Sequence, residues 1–351
     1  MNQSLTRQFF RYTIPTILSM VAFSLYTLVD GIFVAKGVGE IALAAVNLSS
    51  PYNSVMFAAG LLLAVGMSTT IAIRLGNGKH HEASSLFTRN LIVAVAVSIV
   101  ISVLTLLNLR SVAQFLGAEG DTLGYVMEYV GGVSPFAVFF ICSYNMEILV
   151  KTDGTPLLST IGVSLAGVTN LILDWLFVMI FHWGVRGAAV ATGLAQVVST
   201  VLYLYYFAKR SKQLHFVKVS LKPSEFKIYR RTLPLGVADS ITEMSNGVVL
   251  FAFNQTILQL IGESGVVSYT VIGYVNTLVL MVITITYKAV LVLMGLGLMA
   301  FGQGFLHTYL QQILPVFYLG IGLNVICVAI LVVLVFHNSL ARSIMRGGLA
   351  L

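Results

Sequence analysis

The chain has 351 residues, of which 58% are hydrophobic and only 9% charged, and its mean hydropathy is +0.93. So few charges cannot cover the surface of a soluble domain, and the composition specifies a polytopic, all-α membrane protein with no sizeable soluble part. The formal net charge of +7 comes from bases in short loops between apolar runs, as the positive-inside rule places them, and does not indicate a nucleic-acid partner.

The first apolar run, Ile14 to Ala35, is long enough to cross a bilayer as a helix, which takes about 20 residues. Arg7 and Arg11 precede it, and the run is too long for a cleavable signal core, so it reads as a retained first span. It holds one acid, Asp30. A charged carboxylate near the middle of a span costs roughly 2.5–3.5 kcal/mol, so Asp30 must face protein or water, or carry a proton. Lys36, Gly39 and Glu40 form a short polar step before a second run, Ser49 to Ile73. The loop Arg74 to Asn90 carries Arg74, Lys79 and Arg89 and reads as cytoplasmic. The third run is Leu91 to Leu109, followed by an external loop from Arg110 to Gly124. The fourth, Tyr125 to Val150, is interrupted by Pro135 and closed by the turn formers KTDGTP, Lys151 to Pro156. The fifth, Leu157 to Phe181, contains Asn170 and Asp174; a short external step leads to the sixth, Ala188 to Ala208.

Eight Lys and Arg between Lys209 and Arg231 mark the most basic segment as cytoplasmic, so an even number of spans precedes it, and six are counted. The expected organisation is a six-helix lobe over residues 1–208, a basic linker over 209–231, and a second lobe over 232–351. The two halves resemble each other. RYTIP (Arg11 to Pro15) parallels RRTLP (Arg230 to Pro234), Gly39-Glu40 parallels Gly262-Glu263, and Asn53 parallels Asn276. Duplicated halves are a common way of building secondary transporters. Spans are expected near Leu235 to Leu260 and Val266 to Tyr287, and about ten in all, where a full duplicate would need about two more.

Tyr26 and Asp30 lie four apart on one helical face, as do Asn170 and Asp174 on the fifth run, with Thr192 early in the sixth. Together they could form one pocket with two carboxylates. Two acids close together in low dielectric cannot both ionise readily, so the pair would take up a proton or a small cation. Asn170 and Thr192 are equally suited to interhelical hydrogen bonds. Glu243 is deeper in the seventh span than Asp239 and is a candidate for a second coupling or cation-attracting site. Cys142 and Cys327 lie in apolar runs and read as small buried hydrophobes. The six His lack metal spacing, and the Gly-rich stretches follow apolar helices without a phosphate-binding Lys-Ser/Thr, so no enzyme, cofactor or ATPase signal is present and ion gradients would drive any transport.

LYTLVDGIFVAKGVG (Leu25 to Gly39), GNGKHHEA, KTDGTP and NLILDWLFV…WGVRGAAVATGLAQ (Asn170 to Gln196) resemble the multidrug and toxic compound extrusion (MATE) family, and within it the bacterial branch with the staphylococcal-type multidrug exporters. The resemblance implies two six-helix lobes forming a V, in a monomer of the bacterial cytoplasmic membrane with a cytoplasmic N-terminus. It implies exchange of organic cations for H⁺ or Na⁺. Asp30 would be the protonation or Na⁺ site, with Tyr26, Asn170, Asp174 and Thr192 around it and Asn145 as a further partner, while Glu243 falls where relatives carry a seventh-helix acid. The pattern lapses after about Val282, where a truncated or frame-altered gene is expected. Two other readings follow: a fragment whose second lobe cannot close, and a flippase of lipid-linked oligosaccharides, which would need buried bases that the spans lack.

Overall fold

The computed structural model describes residues 28–220 and 222–273. Tyr26, Asn276, Cys327 and the altered text beyond Val282 lie outside the described residues. The described residues up to Thr270 belong to one compact unit.

The unit is built from helices. The end of the first span, α1 (28–37), stops at a turn through Val38 and Gly39. Then follow α2 (Glu40–Gly76), α3 (His80–Leu107), the short α4 (Leu109–Phe115), α5 (Gly120–Val133), α6 (Ala137–Thr152), α7 (Pro156–Asp174), α8 (Gly184–Lys209) and α9 (Tyr229–Leu260). Five described segments are long and apolar enough to cross a membrane: α2, α3, the continuous Gly120–Thr152, Pro156–Ile180 and α8. The protein is therefore an all-α, multi-pass membrane protein. A further helix runs from residue 263.

Two loops are shorter than the hydropathy pattern suggests. The expected cytoplasmic loop Arg74 to Asn90 is only residues 77–79, because the polar turns on either side remain helical. Glu82, in the first turn of α3, pairs with both Lys79 and Arg74, an arrangement suited to a helix end in water. The external loop Arg110 to Gly124 likewise contains α4. Hydropathy marks where side chains leave hydrocarbon, not where the backbone stops coiling.

Pro135 acts as expected. It breaks the fourth span into α5 and α6 through a tight 3₁₀ turn, Ser134–Phe136. The Ser134 carbonyl accepts from the Ser102 hydroxyl of α3 at 2.7 Å, and the Ser134 hydroxyl meets Tyr52 of α2 at 2.9 Å. The kink thereby joins three helices.

The KTDGTP turn does more than reverse the chain. Gly154 takes a φ of +87°, which ends α6 without steric cost. Asp153 is fully buried and accepts four hydrogen bonds: from Tyr206 Oη at 2.6 Å and from the backbone N–H groups of Lys212, Gln213 and Leu214 at 2.8, 2.9 and 2.8 Å. The start of the basic linker is thus clamped to the bundle by one carboxylate, and Ser84 and Thr88 of α3 accept the N–H groups of His215 and Val217. Asp153→Asn would turn amide hydrogens toward backbone donors. The expected cost is about 2–3 kcal/mol, read as a lower thermal midpoint in detergent and faster trypsin cleavage after Arg210 and Lys212.

α9 lies antiparallel along α2. Asn254 donates to Asn47 at 2.8 Å, Gly247 faces Ser54, Gly236 faces the Leu62 carbonyl and Gly66 faces the Thr232 carbonyl. Small residues and a buried amide pair are how helices approach closely where the hydrophobic effect cannot drive them together. The paired Gly-Glu motifs also recur as structure. Gly39 and Gly262 both have positive φ, both donate to a carbonyl five residues back, at 3.2 and 3.1 Å, and both precede a helix that opens at Glu40 or Glu263.

Candidate functional site

The site forms where α1 crosses the end of α7. Asp174 is the last residue of α7, and the chain then widens into a π-helical turn, Trp175–Ile180. Such turns cluster at functional positions because they displace side chains from the regular helical register. α1 docks on this turn at Gly37, where an added Cβ would lie 2.6 Å from Val178 Cγ1. Asp30, about two turns earlier on the same helix, is thereby carried to Asp174.

The Asp30 and Asp174 carboxyl groups lie within hydrogen-bonding reach of each other. Asp174 is 0% exposed and Asn170 2%, while Asp30 is half-buried. Asn170, one turn before Asp174, donates from Nδ2 to Thr192 Oγ1 of α8 at 3.3 Å. Thr192 Oγ1 in turn donates to the Ala188 carbonyl at 2.9 Å. With both acids ionised, Asp30 Oδ1, Asp174 Oδ1 and Oδ2 and Asn170 Oδ1 are buried oxygens without a donor. A hydrogen bond between two carboxyls exists only when one carries a proton. One shared proton, or a hard monovalent cation among these oxygens, would offset the charge of the pair. Three α-helices therefore bring Asp30, Asp174, Asn170 and Thr192 to one place.

The other sequence candidates lie elsewhere or cannot be placed. Tyr26 falls outside the described residues. Asn145 of α6 is fully buried, and its Oδ1 accepts from Asn90 of α3 at 3.1 Å. Glu243 is half-buried on α9. Among the described residues no group of three or more His, Cys, Asp or Glu has the geometry to hold a metal ion. The Asn90–Asn145 pair and the Asp153 clamp were not found by sequence reasoning. A polar residue at each end of the interhelical pair was visible, but not which helices would touch.

Apolar helices packed round a buried carboxyl pair are suited to binding an ion within a membrane protein. The MatE family model matches residues 15–176 of the chain. The chain is similar to the multidrug export protein MepA of Staphylococcus saprophyticus, 24% identical over 200 residues that cover 57% of this chain and 44% of that protein. It is also similar to MepA of Staphylococcus haemolyticus, 23% identical over 266 residues, covering 76% and 58%. The chain spans about half the length of these curated relatives. A solved inward-facing multidrug resistance MATE family transporter of the MOP superfamily superposes with a TM-score of 0.71 at 25% identity, covering 78% of this chain and 61% of that one. The MATE multidrug transporter DinF-BH, solved in a ligand complex, shares the fold with a TM-score of 0.73 at 24% identity, covering 82% and 64%.

Proposed function

We propose that the protein is a cation-coupled antiporter that exports amphipathic, cationic compounds across the bacterial cytoplasmic membrane in exchange for H⁺ or Na⁺. The observation that carries this reading is the contact between Asp30 and Asp174 inside the bundle, beside four buried oxygens that have no protein donor. A site that changes charge on loading an ion biases any helix packing that depends on that charge, and α1 ends directly on the π turn after Asp174. Release of the ion would leave a pair of carboxylates that attract a cation, so ion and drug would compete for one charge state. Asp30 and Asp174 hold the ion in this reading, Asn170 and Thr192 orient them, and Glu243 draws the cationic substrate. The staphylococcal relatives are multidrug export proteins by name, which supports a multidrug range. The two-lobe organisation, the span count of about ten, the cytoplasmic N-terminus and the monomeric state belong to the same proposal.

The test is ethidium extrusion by cells expressing the chain. Energised cells should lose preloaded ethidium faster than vector controls. A protonophore at constant Na⁺, or replacement of Na⁺ by choline, should abolish the difference and so identify the ion. Extrusion no faster than in vector controls would defeat the proposal.

A further inference from the structure

A cavity of about 690 Å³ opens where α2 ends, α3 begins and the 3₁₀ turn Pro223–Ile228 leads into α9. Arg74, Arg89, Lys227, Arg230 and Arg231 line it, with Glu82 and Glu225 as its acids. Arg89 is 4% exposed, and its Nη2 holds the Glu225 carboxylate at 2.7 Å while its Nη1 donates to the Glu225 carbonyl at 3.4 Å. The buried Arg89 guanidinium thus donates to one carboxylate oxygen and one carbonyl, and the same donors suit the oxygens of a phosphate. Glu82 is taken by Arg74 and Lys79. Lys227, Arg230 and Arg231 are exposed at the rim, and among the described residues none of them forms an ion pair.

The position of the cavity selects its ligand. It lies at the ends of two helices able to span a membrane, α2 and α3, and so at the boundary between hydrocarbon and water. Basic pockets between helices at that depth meet the anionic headgroups of lipids. We propose that this cavity binds a phosphate-bearing anion, either the headgroup of an anionic phospholipid or a soluble phosphate. Glu225 occupies the Arg89 fork as an internal stand-in, and the three rim bases supply the charge that draws the anion in. The proposal rests on the membrane-spanning character of α2 and α3 and is independent of transport.

The experiment uses the intact chain in detergent. Native mass spectrometry measures retention of phosphatidylglycerol against phosphatidylcholine, and equilibrium dialysis measures binding of inorganic phosphate. R230Q/R231Q is expected to weaken anion binding about 30-fold, at about one tenfold step per 1.4 kcal/mol. K209Q/R210Q, which removes the same charge at the end of α8, should leave binding unchanged. Selective loss of phosphatidylglycerol in R230Q/R231Q identifies a lipid site. Selective loss of phosphate binding, with no preference between the lipids, identifies a soluble ligand. Equal losses in the two double variants, or no anion binding by the unmodified chain, would overturn the proposal. If R230Q/R231Q is not monodisperse, E225Q decides: releasing the Arg89 fork should tighten anion binding, and unchanged or weaker binding would overturn the proposal.

Discussion

Asp30→Asn should reduce energised ethidium efflux to the level of cells lacking the protein while leaving the protein folded and membrane-inserted. Asn keeps the size of Asp and offers Asp174 an amide donor, so the contact between α1 and α7 survives in shape. It cannot bind or release a proton and brings no charge to a cation, so any coupling through this contact is lost. Asp174→Asn should be nearly as damaging, because it removes the other half of the same group. On the proposed coupling the two carboxyls would act as one group, so Asp30→Asn/Asp174→Asn should be no worse than Asp30→Asn alone. Thr192→Val removes the acceptor of the 3.3 Å bond from Asn170 and should lower efflux by about tenfold, the size of one lost interhelical hydrogen bond. The comparison needs equal amounts of monodisperse protein from each strain. Efflux by Asp30→Asn at the rate of the unmodified chain would remove the coupling role from this site.

The largest loss of stability is expected along the seam between α2 and α9. An added Cβ at Gly236 would run into the Leu62 carbonyl, and one at Gly66 into the Thr232 carbonyl. The obstacles are helix backbone, which cannot rotate aside as a side chain can, so Gly236→Leu must push the two helices apart and break the Asn47–Asn254 bond further along. Overpacking of this kind costs about 1–3 kcal/mol, and loss of the amide pair adds about 1 kcal/mol. Gly236→Leu and Gly66→Leu should therefore lower the thermal midpoint in detergent, followed by size-exclusion chromatography after heating. Gly124→Ala is the control, since a Cβ there meets nothing within 4 Å and the position is helical; it should be neutral or slightly stabilising. A midpoint for Gly236→Leu equal to that of Gly124→Ala would show that the seam does not hold the two helices together.

Much of this architecture could be read along the chain. The apolar runs, the break at Pro135 and the turn at KTDGTP all follow from local properties: transfer energy, a missing N–H, or a residue that tolerates positive φ. The same local logic overestimated the loops at residues 74–90 and 110–124, because polarity and helicity are separate properties and helices continue into the headgroup layer. In the site, helical spacing alone put Asn170 and Asp174 on one face. It could not show that α1 would dock on the π turn after Asp174, since that depends on Gly37 fitting against Val178. Nor could it show that Asn145 would turn to Asn90, or that Asp153 would accept three N–H groups from the linker.

The sequence by itself determined which segments enter the membrane and which polar residues are costly there, because the free energy of moving a side chain out of water belongs to that side chain. Only the tertiary structure decided which of those polar residues would meet. Contacts such as Asp30 with Asp174 depend on where helices far apart in the chain cross, and that crossing is set by small residues, kinks and close packing acting together.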